Sequence, residues 1–420
     1  MNSLLVALAP LFLSAPAPTI ENWPEWRGPE HDGVSNEHGL PAEWGPDRNI
    51  AWKLPLPGMG SATPVVWGDR IFLTSADQDD LVLLCVSTAG KELWRRKVGS
   101  GKVRARGDEG NGASASPSTD GKYVYAFVGT GDLGCYDFSG KEIWKFNAQE
   151  RYGKFNIQFG MHSSPVLFED KLYLALLHSG GHWVIALDKK TGADVWKVER
   201  QSDGIVECEQ SYASPVLWQN GSSAYLVVHG NDYTTAHSLE NGKELWRLGD
   251  LNPKGDRYNR YFRFVASPVA YKDLIVVPTA KRGPVVGVKP DSTGFIKTGD
   301  SGEQWRRPKN TPDVPCPLVY DGVVYLCDEN GNFTGIDAKG GGDLFDQSIH
   351  RSRYRASPVY ADGKIYLTAR DGVVTVVKAG RTFEKIAENK LPDQFTASPA
   401  IAGGRIYLRG FGALYAIGRQ

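Results

Sequence analysis

Short apolar runs alternate with glycine-rich turns along almost the whole chain. The segment 171–174 (Lys-Leu-Tyr-Leu) is typical, and turn pairs such as Asp120-Gly121, Asp321-Gly322 and Asp362-Gly363 separate such runs. No window shows apolar residues at the i, i+3, i+4, i+7 spacing of an amphipathic helix. The pattern therefore predicts an all-β chain, and each Asp-Gly pair predicts a two-residue type I′ hairpin turn.

One unit recurs along the chain: a small residue, a proline, an apolar strand, a turn, two further strands and a closing tryptophan. Successive prolines are about 40 to 53 residues apart, which is the period of a four-stranded propeller blade. The eight unit starts are Pro64, Pro117, Pro165, Pro215, Pro268, Pro317, Pro358 and Pro399. The residues before the prolines are small, as expected where inner strands converge on a narrow axis.

The unit ends are fewer than the unit starts. Five ends carry a tryptophan and two, near Phe345 and Ile386, are weaker, so seven ends stand against eight starts. The segment 49–54 has the character of the missing last strand but precedes the first unit. Its pairing with the last unit would remove an exposed sheet edge. The count predicts a single eight-bladed β-propeller over residues 49–420, closed by an N-terminal strand around Trp52.

The large aromatic at each unit end has a structural interpretation. A buried indole covers roughly 200 Å² and is suited to packing one blade on the next. We predict this blade-docking role for Trp52, Trp94, Trp144, Trp196, Trp246 and Trp305.

The first residues differ from the rest of the chain. Residues 4–13 form an apolar run too short to span a bilayer, and small residues follow it up to Ala17. This favours a signal peptide over residues 1–17 and an exported protein, periplasmic or extracellular, with no membrane span. Residues 18–48 form an extension for which the sequence predicts no element.

The charged residues indicate a candidate binding site, but the net charge indicates no class of binding partner. Lys plus Arg and Asp plus Glu both number 48, so nothing directs the chain toward nucleic acid. The loops that lead from each outer strand to the next inner strand must share one face, and they are rich in arginine. The candidate binding rim on that face consists of His162, Glu209, Tyr212, Arg263, Asp313, Arg353 and Arg355. Two interpretations stay open: an anion site built on arginine, or charges paired among themselves.

The unit also resembles a known repeat. The segment 186–196 (Ala-Leu-Asp-Lys-Lys-Thr-Gly-Ala-Asp-Val-Trp) is similar to the tryptophan-docking repeat of pyrroloquinoline quinone dehydrogenases and their non-catalytic relatives. Degenerate copies stand at 90–94, 140–144 and 242–246, and the opening segment 23–29 resembles secreted propellers of planctomycete-type bacteria. The resemblance implies a quinoprotein-type propeller, while activity depends on the site that the fold carries.

The quinone enzymes of this family carry adjacent cysteines, a calcium ion held by Glu, Asn and Asp, and an Asp base. Here no two cysteines are adjacent and no carboxylates cluster at a calcium-binding spacing. We therefore predict no cofactor, neither pyrroloquinoline quinone nor calcium, and assign no catalytic residue.

Two cysteines have a geometric interpretation. With Asp321-Gly322 as the turn, Tyr320 pairs with Val323, and Cys316 then lies opposite Cys327. A cross-strand disulfide in an oxidising compartment and two small buried residues are both open interpretations.

Taken together, these features favour a monomeric, non-enzymatic binding or scaffold propeller. It would engage a protein or polymer partner in the cell envelope through its loop-bearing face, with an anionic ligand as a further candidate. The resemblance implies one precedent, an outer-membrane assembly lipoprotein, although the N-terminal region here lacks a lipid-anchoring cysteine. The alternatives are a quinone-dependent oxidoreductase and a polysaccharide-binding accessory protein.

Overall fold

Eight β-sheets form the blades of a propeller, as the repeat count predicts. The computed structural model describes residues 21–103, 110–280, 282–309 and 311–419. The predicted signal peptide lies outside these ranges.

The first strand, β1 (Ile50–Pro55), precedes the blades in the chain. The strands of blades 1 and 2 are β2 (Val65–Trp67), β3 (Arg70–Asp77), β4 (Asp80–Ser87), β5 (Glu92–Ser100), β6 (Ser118–Thr119), β7 (Tyr123–Phe127), β8 (Asp132–Asp137) and β9 (Glu142–Asn147). Those of blades 3 and 4 are β10 (Val166–Phe168), β11 (Lys171–His178), β12 (Gly181–Asp188), β13 (Asp194–Glu199), β14 (Val216–Asn220), β15 (Ser223–Gly230), β16 (Tyr233–Ser238) and β17 (Glu244–Leu248).

The second half repeats the arrangement, with one additional strand, β21. The strands from blade 5 to blade 6 are β18 (Val269–Tyr271), β19 (Leu274–Val277), β20 (Val285–Val288), β21 (Gly294–Ile296), β22 (Glu303–Arg307), β23 (Leu318–Tyr320), β24 (Val323–Cys327), β25 (Asn332–Asp337) and β26 (Asp343–Ser348). Blades 7 and 8 contain β27 (Val359–Ala361), β28 (Lys364–Thr368), β29 (Val373–Lys378), β30 (Lys385–Lys390), β31 (Ala400–Ala402), β32 (Arg405–Arg409) and β33 (Ala413–Ile417).

Helical structure is confined to short segments in the described ranges. They are α1 (Ala148–Tyr152) and two 3₁₀ turns, Val206–Glu209 and Gly255–Arg257. None of these helices is long and apolar enough to cross a membrane.

The ring closes between the two ends of the chain. Strand β1 lies antiparallel to β33, with Trp52 opposite Ala416 and Leu54 opposite Leu414. The sheet order β1-β33-β32-β31 makes β1 the outer strand of blade 8. The predicted seam around Trp52 is confirmed.

Blade 4 has a fifth strand that the repeat does not predict. Strand β21 lies parallel to β17, with Trp246 opposite Gly294, while blade 5 runs directly from β20 to β22. The insertion between β20 and β22 is long enough to leave its own blade and cover the outer edge of the preceding one. Ile296 is buried there.

Two of the three predicted type I′ turns are present. Both residues of Asp321-Gly322 have positive φ (46° and 72°), as do both residues of Asp362-Gly363 (53° and 71°). Each pair joins strands in the register that a two-residue turn requires.

The third turn prediction is wrong. The pairing of Thr119 with Val124 places Gly121 and Lys122, rather than Asp120 and Gly121, at the centre of the turn. The Asp120 carboxylate accepts the backbone N–H of Lys122, and Gly121 has a positive φ (82°) whereas Asp120 and Lys122 do not.

Five of the six predicted docking tryptophans make the same contact with the next blade. Each indole Nε1 donates to a backbone carbonyl of that blade: Trp52 to Thr88 (2.8 Å), Trp94 to Phe138 (2.9 Å), Trp144 to Lys189 (3.0 Å), Trp196 to Leu239 (3.1 Å) and Trp305 to Ala338 (2.8 Å). Each ring also covers a glycine of positive φ, in turn Gly90, Gly140, Gly192, Gly242 and Gly341. The exception is Trp246, which is fully buried beside β21 and has no acceptor among the described residues for its Nε1.

Candidate functional site

The residues before the blade-starting prolines form a hydrogen-bonded ring around the axis, here called the collar. The collar residues are Thr63, Ser116, Ser164, Ser214, Ser267, Cys316, Ser357 and Ser398. In seven of the eight, the backbone N–H donates to the side chain of the next: Thr63 to Ser116 (2.9 Å), Ser116 to Ser164 (3.0 Å), Ser164 to Ser214 (2.9 Å), Ser214 to Ser267 (2.9 Å), Ser267 to Cys316 (3.0 Å), Cys316 to Ser357 (3.0 Å) and Ser357 to Ser398 (2.9 Å).

Local sequence explains why these residues can meet. A following proline biases its predecessor toward extended backbone, which starts each inner strand in the same way. A short side chain can approach the neighbouring blade near the crowded axis. The collar is open at the seam, because Thr63 Oγ1 has no hydrogen-bond partner among the described residues.

A cavity of about 450 Å³ lies directly against the collar on the propeller axis. Its wall contains seven of the eight collar residues, all except Thr63. It also contains six of the seven predicted rim residues: His162, Tyr212, Arg263, Asp313, Arg353 and Arg355. The structure thus brings the candidate rim together around one concave space.

The seventh rim residue, Glu209, lies outside the cavity wall. It ends the 3₁₀ turn Val206–Glu209 and is half-buried, and its backbone carbonyl faces Nε2 of His182 at 3.2 Å. Its position in sequence before a blade start is therefore not sufficient to place it on the axis.

Arg370 and Trp26 are wall residues that the predicted rim did not include. Arg370 comes from the hairpin between β28 and β29, and its guanidinium carbon lies 5.7 Å from the centre of the Phe411 ring. The hairpin between the second and third strands of a blade lies on the same face as the rim loops, a topological signal that could have identified it. Trp26 comes from the N-terminal extension, whose position the sequence does not predict.

Two arginines of the wall have an acidic neighbour at a long distance. Arg355 Nη1 lies 3.9 Å from Asp313 Oδ2, and Arg263 Nε lies 3.5 Å from Glu207 Oε2. Both separations exceed the usual length of a charge-assisted hydrogen bond. Among the described wall residues, four arginines accompany a single carboxylate, that of Asp313.

Two aromatic residues of the wall, His162 and Tyr212, are neutral. His162 Nε2 lies 2.8 Å from the carbonyl oxygen of Phe159, which can only accept, so Nε2 carries the proton. Burial lowers the pKa of His162 to about 4, and the ring is neutral at pH 7. The hydroxyl of Tyr212 donates to Gln210 Oε1 (3.1 Å), and burial raises the pKa of Tyr212 above its usual value.

The N-terminal extension covers the far side of the collar. Trp23 exchanges two backbone hydrogen bonds with Val66, both 2.8 Å, and the Glu25 carboxylate accepts the N–H of Leu167 at 2.8 Å. Val34 forms a parallel bridge with Tyr360. The extension therefore joins blades 1, 3 and 7 at the end of the axis remote from the rim.

Arg27 lies beneath the collar. Its guanidinium donates to the carbonyl oxygens of Pro358 (2.9 Å) and Pro317 (3.2 Å), which directly follow the collar residues Ser357 and Cys316. Arg27 is buried, and this burial lowers its pKa, while nearby Cys316 and Asp32 raise it.

The predicted cysteine pair is buried as two free thiols. The register of β23 and β24 is the one expected, with Tyr320 opposite Val323. Cys316 Sγ accepts the N–H of Ser267, whereas Cys327 Sγ lies 3.7 Å from the Asp328 carbonyl oxygen. Burial raises the pKa of both thiols, so both are protonated at neutral pH. A disulfide stays a prediction, which mass spectrometry under non-reducing conditions can check.

The wall can also be compared with the needs of a quinone and its calcium ion. Calcium takes six to eight oxygen ligands, usually including several carboxylates. The described part of the wall supplies one carboxylate, and no three His, Cys, Asp or Glu residues of the described chain are placed to hold a metal ion. The residues present do not fit a calcium-bound quinone.

Part of the chain matches a known family. Residues 129–297 match the family model described as outer membrane protein assembly factor BamB. The BamB of Burkholderia pseudomallei (strain K96243) is 25% identical over 201 residues, which are 47% of this chain and 44% of that protein. The match thus spans less than half of the curated relative. The predicted resemblance to quinoprotein-like propeller repeats is confirmed.

Solved structures show the same fold. The BamB of Moraxella catarrhalis superposes with a TM-score of 0.62 at 14% identity, covering 88% of this chain and 99% of that one. A europium-containing methanol dehydrogenase gives 0.70 at 12% identity, with 94% and 90% covered. Quinohemoprotein alcohol dehydrogenase from Comamonas testosteroni gives 0.66 at 14% identity, with 95% and 81% covered. Likeness at these identities concerns the fold alone.

Proposed function

We propose that this protein is an exported binding or scaffold propeller of the cell envelope that engages a protein partner through its loop-bearing face. An acidic segment of the partner would lie at the mouth of the axial cavity. The observation that carries the proposal is the set of four arginines in one wall: Arg263, Arg353, Arg355 and Arg370. The partial match to an outer membrane protein assembly factor supports a protein partner.

A carboxylate of a partner could take the place of an acidic residue beside a wall arginine. The Arg355 and Asp313 pair, at 3.9 Å, is longer than a charge-assisted hydrogen bond. An incoming carboxylate can form two parallel hydrogen bonds with one guanidinium group, which is the stronger arrangement. A partner carboxylate would therefore form shorter bonds with Arg355 than the one recorded to Asp313.

Charge reversal at the rim tests the proposal. The double variant Arg353→Glu, Arg355→Glu would place carboxylates where the partner's own carboxylates bind. We expect binding of a fluorescent Asp/Glu-rich peptide, measured by anisotropy, to weaken by about tenfold or more. The set of proteins captured from envelope extract should lose the same partners.

A control with the same charge change separates the rim from general electrostatics. Lys378 and Lys385 are exposed on blade 7 and lie outside the cavity wall. Lys378→Glu, Lys385→Glu should leave peptide binding and capture almost unchanged. Equal losses in both variants, or none in the rim variant, would contradict binding at the rim.

The other candidate functions have less support from the wall. A quinone-dependent dehydrogenase needs the metal ligands discussed above, and the described wall does not fit them. No described feature of the cavity favours a polysaccharide over an acidic peptide.

A further inference from the structure

The collar presents serine hydroxyls to the cavity. Six of its members are serines, each at most 5% exposed: Ser116, Ser164, Ser214, Ser267, Ser357 and Ser398. Each hydroxyl oxygen accepts the N–H of the preceding blade. Within the described chain, the hydroxyls of Ser267 and Ser357 lie beside the Cys316 thiol, whereas the other four donate to no acceptor; all six line the cavity.

The role of each hydroxyl follows from this bond. A serine hydroxyl has one hydrogen and two lone pairs. Because a backbone N–H occupies one lone pair from the side of the preceding blade, the hydrogen is directed elsewhere. A buried donor without an acceptor is costly, and a ligand oxygen on the axis would remove that cost.

A positive charge lies beneath the same ring. The Arg27 guanidinium donates to the carbonyls of Pro317 and Pro358, and each of these prolines directly follows a collar residue. No carboxylate of the described chain forms an ion pair with it, and its Nε has no hydrogen-bond partner there. The guanidinium is bonded to carbonyl oxygens and has Asp32 as a nearby carboxylate, and a further negative group on the axis would be favoured by the same buried charge.

We infer that the collar is the floor of an oxyanion-binding site, which holds a carboxylate, phosphate or sulfate group on the propeller axis. The inference deepens the proposed function, since the collar and the arginine rim enclose the same cavity. The anionic group would lie among the serine hydroxyls with Arg27 beneath it. The rim arginines would contact the rest of the ligand.

The donor pattern selects the ligand class. A sugar hydroxyl needs acceptors as well as donors, whereas an oxyanion offers only acceptors. The collar contributes donors from all six serines, and Asp313 is the one carboxylate in the described wall. The floor is therefore better matched to an oxyanion than to a neutral carbohydrate.

The chain itself supplies a conservative pair of variants. Cys316 occupies a collar position, and its sulfur accepts the N–H of Ser267 as a serine oxygen would. A thiol is a weaker donor than a hydroxyl. Ser357→Cys should therefore keep the collar intact and weaken the site, while Cys316→Ser should strengthen it.

Calorimetric titration with inorganic phosphate, sulfate and acetate tests the inference on the full chain. We expect the unmodified protein to bind at least one of the three ions. For that ion, Ser357→Cys should raise the dissociation constant about fivefold, and Cys316→Ser should lower it about threefold. Circular dichroism and the melting temperature of each variant would show that the fold is retained. Ser163→Ala, at a buried hydroxyl beside the collar, is the matched control and should change nothing.

Each result distinguishes the collar from the rim. Binding of acetate alone would identify a carboxylate ligand such as a peptide C-terminus, and binding of phosphate or sulfate would identify a tetrahedral oxyanion. No binding of any ion, or binding that both collar variants leave unchanged, would overturn the inference. Loss of ion binding only in Arg353→Glu, Arg355→Glu would place the anion at the rim and also overturn it. Failure of the rim variants to lose the acidic peptide would instead contradict the proposed function and leave the collar result intact.

Discussion

At the scale of single residues, each docking tryptophan is matched to a glycine of the next blade. A Cβ built on Gly192, whose φ is 70°, would lie 2.8 Å from two ring carbons of Trp144. The glycine therefore serves two purposes there: it adopts a left-handed backbone, and it leaves room for the indole. The tryptophan and the glycine recur together along the chain because the indole packs only where the facing residue has no side chain.

Gly192→Ala should destabilise the protein more than an alanine at a comparable turn. Gly322 has nearly the same φ, 72°, but a Cβ there would meet nothing within 4 Å. Both substitutions incur backbone strain, and only the first also displaces Trp144. We expect Gly192→Ala to lower the free energy of unfolding by about 2 kcal/mol more than Gly322→Ala. Equal losses in denaturant titrations would show that the tryptophan contact contributes nothing.

Residue types predicted the collar only in part. The narrow axis explains why small side chains precede each proline, and the sequence shows this directly. It does not show that each side chain accepts the N–H of its neighbour, because the two partners are about 40 to 50 positions apart, as in the bond from Ser357 to Ser398 (41 positions) and that from Ser164 to Ser214 (50 positions). The sequence also does not show which acidic residues lie near the rim arginines, because these partners are far apart in the chain.

At the scale of elements, β1 decides whether the ring is closed. Without it, β33 would present an unpaired edge with buried residues such as Tyr415 and Ile417 beside it. Trp52 would also leave Gly90 and the Thr88 carbonyl, its contacts on blade 1. The strand therefore stabilises both neighbours of the seam.

Two truncations can separate β1 from the extension before it. Removing residues 1–48 deletes the extension and keeps β1, whereas removing residues 1–55 deletes both. We expect the longer truncation alone to lose cooperative unfolding and to self-associate through the open edge, because exposed strand edges pair with other chains. Size-exclusion chromatography and thermal unfolding would measure this. Identical behaviour of the two truncations would mean that β1 does not close the ring.

Element counting failed only where an insertion interrupts the repeat. The sequence predicts four strands in every blade, and seven sheets have four. The fifth strand of blade 4 comes from the insertion in blade 5, whose short Gly294–Ile296 segment has no repeat signal. Its position depends on the outer edge of a neighbouring blade, which local sequence does not encode.

At the scale of the whole molecule, the N-terminal extension makes stability depend on pH. His31 Nδ1 lies 2.8 Å from Glu25 Oε2. Burial lowers the pKa of His31, but the Glu25 carboxylate outweighs it and the net shift is upward. Stability from this pair is complete below the unfolded pKa of histidine and is lost as the pH rises through the raised value.

Asp32 also makes the protein less stable as the pH rises. Burial raises its pKa from 3.8 to about 6, so the native state holds a proton that the unfolded chain releases. The resulting stability is complete below about pH 4 and is lost as the pH rises through 6. By the usual conversion the loss is about 3 kcal/mol.

We therefore expect the melting temperature to fall between pH 4 and pH 8, with the Asp32 contribution lost up to about pH 6 and that of His31 above it. Asp32→Asn removes one of the two titrating groups and should flatten this dependence while leaving the fold intact. Asp170→Asn is a suitable control, because Lys171 lowers the pKa of Asp170 and its effect belongs to acidic pH. A slope that Asp32→Asn does not change would show that the extension does not titrate as described.

The sequence by itself determined the repeat, the number of blades and the seam. These features depend on short-range patterns, such as proline spacing, Asp-Gly turns and a terminal tryptophan. The patterns recur because every blade packs against its neighbours in the same way. It also selected the loops from which six of the seven predicted rim residues reach the axis.

Only the tertiary structure decided what lies at the centre of the ring. Arg27 binds the carbonyl of Pro358, 331 positions away, and Trp26 enters a cavity built mainly from seven blades. The collar joins all eight blades through bonds between residues that are never neighbours in sequence. Contacts of this kind depend on how the ring closes. Local sequence patterns therefore do not predict the serine hydroxyls of the collar as the site of the proposed anion.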